Sequence, residues 1–173
     1  LTAGATDYEE LAVIFATGTY RRKLCVPGED AFAGKGVSYC ATCDGPLFRN
    51  REVAVVGGGD TAVQEAIFLT NFTSKVTIIH RRDRLRATKI LQKRAFANSK
   101  IEFAWNSVVE EIWGKESVEK VKIRNVKSPG VIGEIPASGV FIFTGLTPKT
   151  EMIRGIADLD SGGYILVDAH MQT

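Results

Sequence analysis

Glu52-Val-Ala-Val-Val56 is an apolar run that stops at three consecutive glycines, Gly57-Gly-Gly59. Beyond them the period changes. Ala62, Ala66 and Leu69 recur at helical spacing, with Val63 and Ile67 beside them, so a helix is expected over about 60–71. Lys75-Val-Thr-Ile-Ile79 follows with weak alternation and high apolar content, the pattern of a strand buried on both faces. Strand, glycine turn, helix and strand therefore occur in order. The spacing predicts a second helix over 84–98, with Ala87, Leu91 and Ala95 on one face, and a third strand at Ile101-Glu-Phe103. Short strands are predicted at 108–112 and 118–126. In Val121-Lys-Ile-Arg124 apolar and basic residues alternate, as in an antiparallel strand with one wet face. Ser128-Pro-Gly130 reads as a turn.

Two more apolar runs share an exit. Leu11-Ala-Val-Ile-Phe-Ala16 ends at Thr17-Gly18, and Val140-Phe-Ile-Phe143 ends at Thr144-Gly145. Both read as buried strands that bracket everything between them, as if the chain left one domain, built a second and returned. Residues 19–38 form a basic connector containing Arg21-Arg-Lys23, Val26-Pro-Gly28 and Gly34-Lys-Gly36. Gly34-x-Gly36 imitates a nucleotide fingerprint, but no apolar strand runs into it. A loop begins at Gly145-Leu-Thr-Pro148, and Gly162-Gly-Tyr-Ile-Leu-Val167 predicts a last hairpin strand.

Composition changes this picture little. The 173 residues are 45% apolar and 24% charged, as in ordinary globular domains. A net charge of +2 gives no general pull toward nucleic acid or a membrane. No apolar run approaches the roughly 18 residues of a membrane span. The start, Leu1-Thr-Ala-Gly-Ala-Thr-Asp7, lacks the basic and apolar regions of a signal peptide, and without an initial Met the chain is expected to be a piece of something longer. Three cysteines do not make a secreted disulfide framework. A Cys-x-x-Cys beside a βαβ pattern points instead to redox chemistry in the cytoplasm, and Cys25 reads as a small half-buried apolar residue.

The glycine turn carries the first candidate chemistry. Gly57-x-Gly59-x-x-Ala62 is the Ala form of the dinucleotide fingerprint. The first glycine permits the tight turn, the second admits a pyrophosphate, and the small third residue lets helix and strand pack closely. The free N–H groups at the helix start, with Gly58, Asp60 and Thr61 around them, are expected to face the phosphates. The end of the second strand selects the nucleotide. An NAD site carries a carboxylate there for the ribose 2′-OH. Here it carries His80-Arg81-Arg82, with Arg86 following. Guanidinium groups suit the 2′-phosphate of NADP. A solvated basic face is the plainer reading. Nucleic-acid binding is disfavoured, because no aromatics interleave the basic run for base stacking.

Cys40-Ala-Thr-Cys43 is the second candidate. Zinc would need four ligands, and Cys25, His80 and His170 do not supply the spacing. As a redox pair, one thiolate attacks a substrate disulfide and the other resolves the mixed disulfide. Asp44 follows directly and could exchange the thiol proton. Moving a hydride from a nicotinamide to a disulfide calls for a flavin. No second glycine fingerprint for one is present in the sequence.

Together, Gly36-Val-Ser-Tyr-Cys-Ala-Thr-Cys-Asp-Gly45, Gly57-Gly-Gly-Asp-Thr-Ala62, His80-Arg-Arg-Asp83 with Arg86-Ala87, and Ile101-Glu-Phe103 with Trp105-Asn-Ser107 resemble the low-molecular-weight thioredoxin reductases over nearly the whole chain. The resemblance implies an α/β fold. It would be a Rossmann-like three-layer NADP-binding domain with a parallel sheet and a small antiparallel sheet, flanked by partial FAD-domain strands. It implies residues 19–143 as the NADPH domain, and 1–18 and 144–173 as FAD-domain remnants. It further implies Cys43 as the thiol nearest the flavin, Cys40 as the thiol that attacks thioredoxin, and Asp44 as the acid/base. Arg81, Arg82 and Arg86 would hold the 2′-phosphate, and Thr17 and Gly18 would lie at the FAD side. The implied activity is an NADPH-dependent thioredoxin-disulfide reductase with FAD, homodimeric when intact, cytoplasmic, with no nucleic-acid or membrane partner. The family's N-terminal FAD-binding glycine unit and closing Gly-Asp motif are absent from the sequence, so the isolated chain is expected to purify without flavin. The flavoprotein subunit of alkyl hydroperoxide reductase is the nearest rival. It prefers NADH and lacks the His-Arg-Arg-x-x-x-Arg cluster. A non-catalytic NADP-binding fragment is the other alternative.

Overall fold

The computed structural model describes every residue except Leu1, Gly4, Tyr8 and Glu10. Its contacts divide the chain into two units, residues 21–145 and residues 1–20 with 146–173. At the start of the chain, β1 (Thr2–Ala3) pairs antiparallel with β2 (Thr6–Asp7), and β3 (Thr19–Arg21) follows.

In the larger unit the elements are β4 (Val37–Ser38), α1 (Ala41–Asp44), a single 3₁₀ turn at Gly45–Phe48, β5 (Glu52–Val56), α2 (Asp60–Leu69), β6 (Lys75–Ile79), α3 (Lys89–Phe96), β7 (Ile101–Ala104), β8 (Ser107–Gly114), β9 (Val118–Asn125), β10 (Ile132–Pro136) and β11 (Gly139–Ile142). Five strands form a parallel sheet in the order β4-β11-β5-β6-β7. Three more form an antiparallel sheet in the order β10-β9-β8.

The pleat explains the layers. Successive residues of a strand face opposite sides. Val53 and Val55 of β5 pack with Ala62, Val63, Ala66 and Leu69 of α2 and Ala95 of α3. Ala54 and Val56, their neighbours, pack with Val109 and Ile112 of β8 and Val118 and Val121 of β9. Central parallel strands are thus apolar on both faces, which is why β5 and β6 read as unbroken apolar runs. The result is three layers: helices, parallel sheet, antiparallel sheet. Phe141 of β11 is fully buried and meets the Phe48 ring edge-on, with centroids 5.3 Å apart. Phe141→Ala is expected to cost about 3–5 kcal/mol, measured by urea denaturation of parent and variant. A loss well below 1 kcal/mol would show that this layer is not packed as described.

Several expected elements differ. The helix predicted over 84–98 covers only Lys89–Phe96. The backbone before it is bound elsewhere: Arg86 and Ala87 N–H donate to the Gly58 carbonyl at 2.7 and 3.2 Å, and Thr88 N–H donates to the Asp60 carboxylate at 2.6 Å. The helix after the glycines ends at Leu69, where Thr70 N–H turns back to the Ile67 carbonyl. Leu11–Ala16 is not a buried strand; it runs as irregular chain with Leu11 and Ile14 exposed. The other member of the expected bracket, Val140–Phe143, overlaps β11 inside the larger unit. Residues 162–167 form no strand beyond a single antiparallel bridge between Leu159 and Ile165. In the smaller unit β12 (Leu146–Pro148) pairs with β3. β4 and β10 were not expected. β4 is two residues long, and β10 reads Ile-Gly-Glu-Ile-Pro, with its proline tolerated because the strand is an edge.

Candidate functional site

The glycine turn is shaped by its neighbours. Gly57 has φ +151°, and a Cβ there would meet the Phe143 carbonyl and the Ala62 side chain. Gly58 lies against the His80 ring, which leaves no room for a side chain. Gly59 is different: only the Arg86 guanidinium, at 4.0 Å, comes near its Cβ position. It is the N-cap of α2, and no side chain among the described residues caps that end. The first N–H groups of α2 are therefore free to meet an anion at Gly59. Asp60 is committed elsewhere, since its carboxylate accepts the Thr88 N–H. Thr61 is exposed beside it.

A cavity in the larger unit opens over this turn. Gly57, Gly58, His80, Arg81 and Arg86 line one side. Arg22, Lys23, Leu24 and Val26 line another, with Val108 and Val109 of β8 and Phe143 and Thr144 beyond β11. Arg82 does not line it; its carbonyl accepts the Asn106 N–H at 3.1 Å. Arg81, Arg82 and Arg86 are exposed and make no salt bridge among the described residues. Arg22, on the other wall, is far away in sequence, and no local motif marks it.

His80 is 5% exposed, edge-on to Trp105, and its Nε2 is buried without a partner among the described residues. Burial pushes its imidazole below the usual range, and the charges of Arg86, Arg82 and Arg81 act in the same direction. A hydrogen bond to the Arg84 backbone opposes them. The ring is thus held neutral in the folded chain. The unfolded chain takes up this proton near pH 6.5, so this contribution to stability is present above that pH and declines as pH falls toward the lowered folded value. His80→Gln is expected to flatten the stability curve below about pH 6.5, read by thermal melts against pH. An unchanged slope would show that the ring is not held neutral.

Glu65 on α2 has a buried Oε2 without a partner among the described residues, and burial raises its carboxyl pKa.

Cys40 and Cys43 form a disulfide, with Cα atoms 5.3 Å apart. The loop is locally self-bonded. Ser38 Oγ donates to the Asp44 carboxylate at 2.6 Å and accepts the Cys40 N–H at 3.1 Å. Cys43 N–H donates to Cys40 Sγ at 3.2 Å. Ala41, between the cysteines, is buried in the same core as α2, so α1 is anchored on that helix. Cys40 is half-buried and Cys43 exposed. Thr17 and Gly18 belong to the other unit, where Thr17 Oγ1 donates to the Lys149 carbonyl and Lys149 N–H to the Gly18 carbonyl. The only free cysteine among the described residues is Cys25, which is exposed rather than half-buried and has φ +59°.

The larger unit thus offers an anion cradle, cationic side chains and an oxidised dithiol. Comparison with known proteins agrees with that combination. The chain is 52% identical over 168 residues to a thioredoxin reductase of Streptomyces coelicolor, covering 97% of this chain and 52% of that protein. It is 49% identical to the thioredoxin reductase of Listeria innocua, covering 100% and 54%. The crystal structure of Lactococcus lactis thioredoxin reductase in its FR conformation superposes with a TM-score of 0.85 at 48% identity, covering 91% of this chain and 52% of that one. The chain spans about half the length of the curated relatives it matches. The family of pyridine nucleotide-disulphide oxidoreductases matches residues 2–173, and the chain belongs to it.

Proposed function

We propose that this chain is the nucleotide-binding part of an NADPH-dependent thioredoxin-disulfide reductase. The larger unit, close to the expected bounds 19–143, is the NADPH domain, and the flanking segments belong to an FAD domain. The observation that carries the reading is the Cys40–Cys43 disulfide in the same unit as an open glycine cradle with Arg81 and Arg86 at its end.

The residues fit the nucleotide. Space at Gly59 and the uncapped start of α2 suit a pyrophosphate. Arg81 and Arg86 suit a 2′-phosphate, and Arg82 lies close enough in sequence to lend charge. When bound, NADPH would supply a hydride, and the FAD proposed for the intact enzyme would supply the two-electron link to the disulfide. The chain's own residues then act on the partner. Cys40 attacks the thioredoxin disulfide, Cys43 resolves the mixed disulfide, and Asp44, held by Ser38, takes and returns the thiol proton. The intact enzyme is a homodimer working in the cytoplasm, where a dithiol reductant finds reduced surroundings. No helix among the described residues is long and apolar enough to cross a membrane.

The test is turnover by the full-length parent protein. It should oxidise NADPH when given oxidised thioredoxin, and Cys43→Ser should abolish this. Equal rates with NADH, or full activity in the Cys43→Ser protein, would refute the reading.

A further inference from the structure

We propose that the segment Arg22–Val26 is the second wall of the dinucleotide site. Arg22 is its cation for the pyrophosphate, and Glu29, three residues beyond the segment, is the positioning residue that holds it. The proposal rests on the reading of the cavity as an NADP site.

Residues 22–26 belong to no helix or strand, yet Arg22, Lys23, Leu24 and Val26 line the same cavity as the glycine turn. One carboxylate holds them. Leu24 N–H donates to Glu29 Oε1 at 3.0 Å, and Cys25 N–H donates to Oε2 at 2.7 Å. The positive φ of Cys25 belongs to the left-handed region that successive N–H groups use to converge on one anion. Here the anion is the chain's own Glu29, which is 2% exposed. Tyr39 O–H adds a third bond at 2.6 Å, and Glu29 N–H closes the turn onto the Val26 carbonyl at 3.2 Å. A buried carboxylate needs such donors, because burying it without them is costly. Glu29 and the path of the wall therefore require each other.

The upstream end of the wall is fixed to the exit of β11. Arg22 N–H donates to the Gly145 carbonyl at 3.0 Å, and its own carbonyl accepts Thr144 Oγ1 at 2.8 Å. The two charges on the wall then part. Lys23 is taken up by Asp30, with Nζ–Oδ1 at 2.6 Å. Arg22 makes no salt bridge among the described residues and lines the cavity. Sheet order assigns its target. β11 and β6 flank β5, whose end carries the glycine turn. Arg81 stands at the β6 end, the side that recognises the adenosine ribose. Arg22 stands at the β11 end, away from that ribose, and as the cavity's unpaired cation there among the described residues it is assigned to the phosphates that NADP and NAD share.

Calorimetry on the full chain with NADP⁺ and NAD⁺ tests this. Arg22→Gln is expected to weaken both ligands by about tenfold, the loss of one charge-assisted bond, and to leave their ratio unchanged. Arg86→Gln should weaken NADP⁺ alone. Glu29→Gln should weaken both, and in the Arg22→Gln background it should add little, because the wall acts through Arg22. Tyr39→Phe, which removes one of the three bonds, is the milder variant if Glu29→Gln does not fold. It should weaken both ligands less than Arg22→Gln does. Losses that simply add, as general destabilisation would produce, overturn the positioning role. Unchanged affinities in Arg22→Gln, or a loss confined to NADP⁺, overturn the role of Arg22. A parent with no preference for NADP⁺ would instead sink the NADP reading, while the equal effect of Arg22→Gln on both ligands could still be read.

Discussion

Cys43→Ser is expected to hold thioredoxin covalently through Cys40, and Cys40→Ser is expected to hold nothing. On the proposed reading, Cys40 attacks the partner disulfide and forms a mixed disulfide, releasing one partner thiolate. In the parent, Cys43 then displaces the second partner sulfur and re-forms the Cys40–Cys43 ring. Without Cys43 the mixed disulfide has no resolving thiol. The two sulfurs differ in their surroundings: Cys40 is half-buried and Cys43 exposed. In the disulfide, Cys43 N–H points at Cys40 Sγ at 3.2 Å. Thr42 Oγ1, at 3.4 Å, is a second polar neighbour of the same sulfur. The measurement is a non-reducing gel after incubating each variant of the full-length protein with oxidised thioredoxin, and turnover should fall to background in both. An adduct with Cys40→Ser and none with Cys43→Ser would reverse the roles.

Arg81→Ala and Arg86→Ala are each expected to cost NADPH binding about 1.5–3 kcal/mol, which is about 10- to 150-fold in Kd. NADH affinity should hardly change, since it lacks the 2′-phosphate. Both side chains line the cavity over the glycine turn. Arg82 does not, and its alanine variant should cost less than either. The three residues share one short motif, but Arg82 sits where its carbonyl accepts the N–H of Asn106, just before β8. Calorimetric titration of both nucleotides reads the effect. A preference for NADPH that survives both substitutions would remove the guanidinium groups from the 2′-phosphate site.

β5 and β6 have the bounds expected from their apolar runs, Glu52–Val56 and Lys75–Ile79. The glycine turn and the helix after it follow in the expected order. These features were readable along the chain because each depends on near neighbours. A strand buried on both faces must be apolar throughout, and an amphipathic helix must repeat every 3.6 residues. The cysteine spacing also closes a small ring with no help from distant residues. The misreadings and omissions have one cause, which is bonds between distant segments. Ala87, Leu91 and Ala95 keep helical spacing, but Gly58 and Asp60 claim the backbone of 86–88 and delay α3 to Lys89. Leu11–Ala16 is as apolar as β5, yet a strand needs a ladder as well as an apolar sequence, and it runs as irregular chain. β4 exists because β11, far along the chain, pairs with it. Arg22 and Glu29 carry no pattern of their own. Only the folded chain brings Arg22 to the cavity and buries Glu29 beneath its wall, because hydrogen bonds to β11's exit and to a buried carboxylate do not follow sequence order.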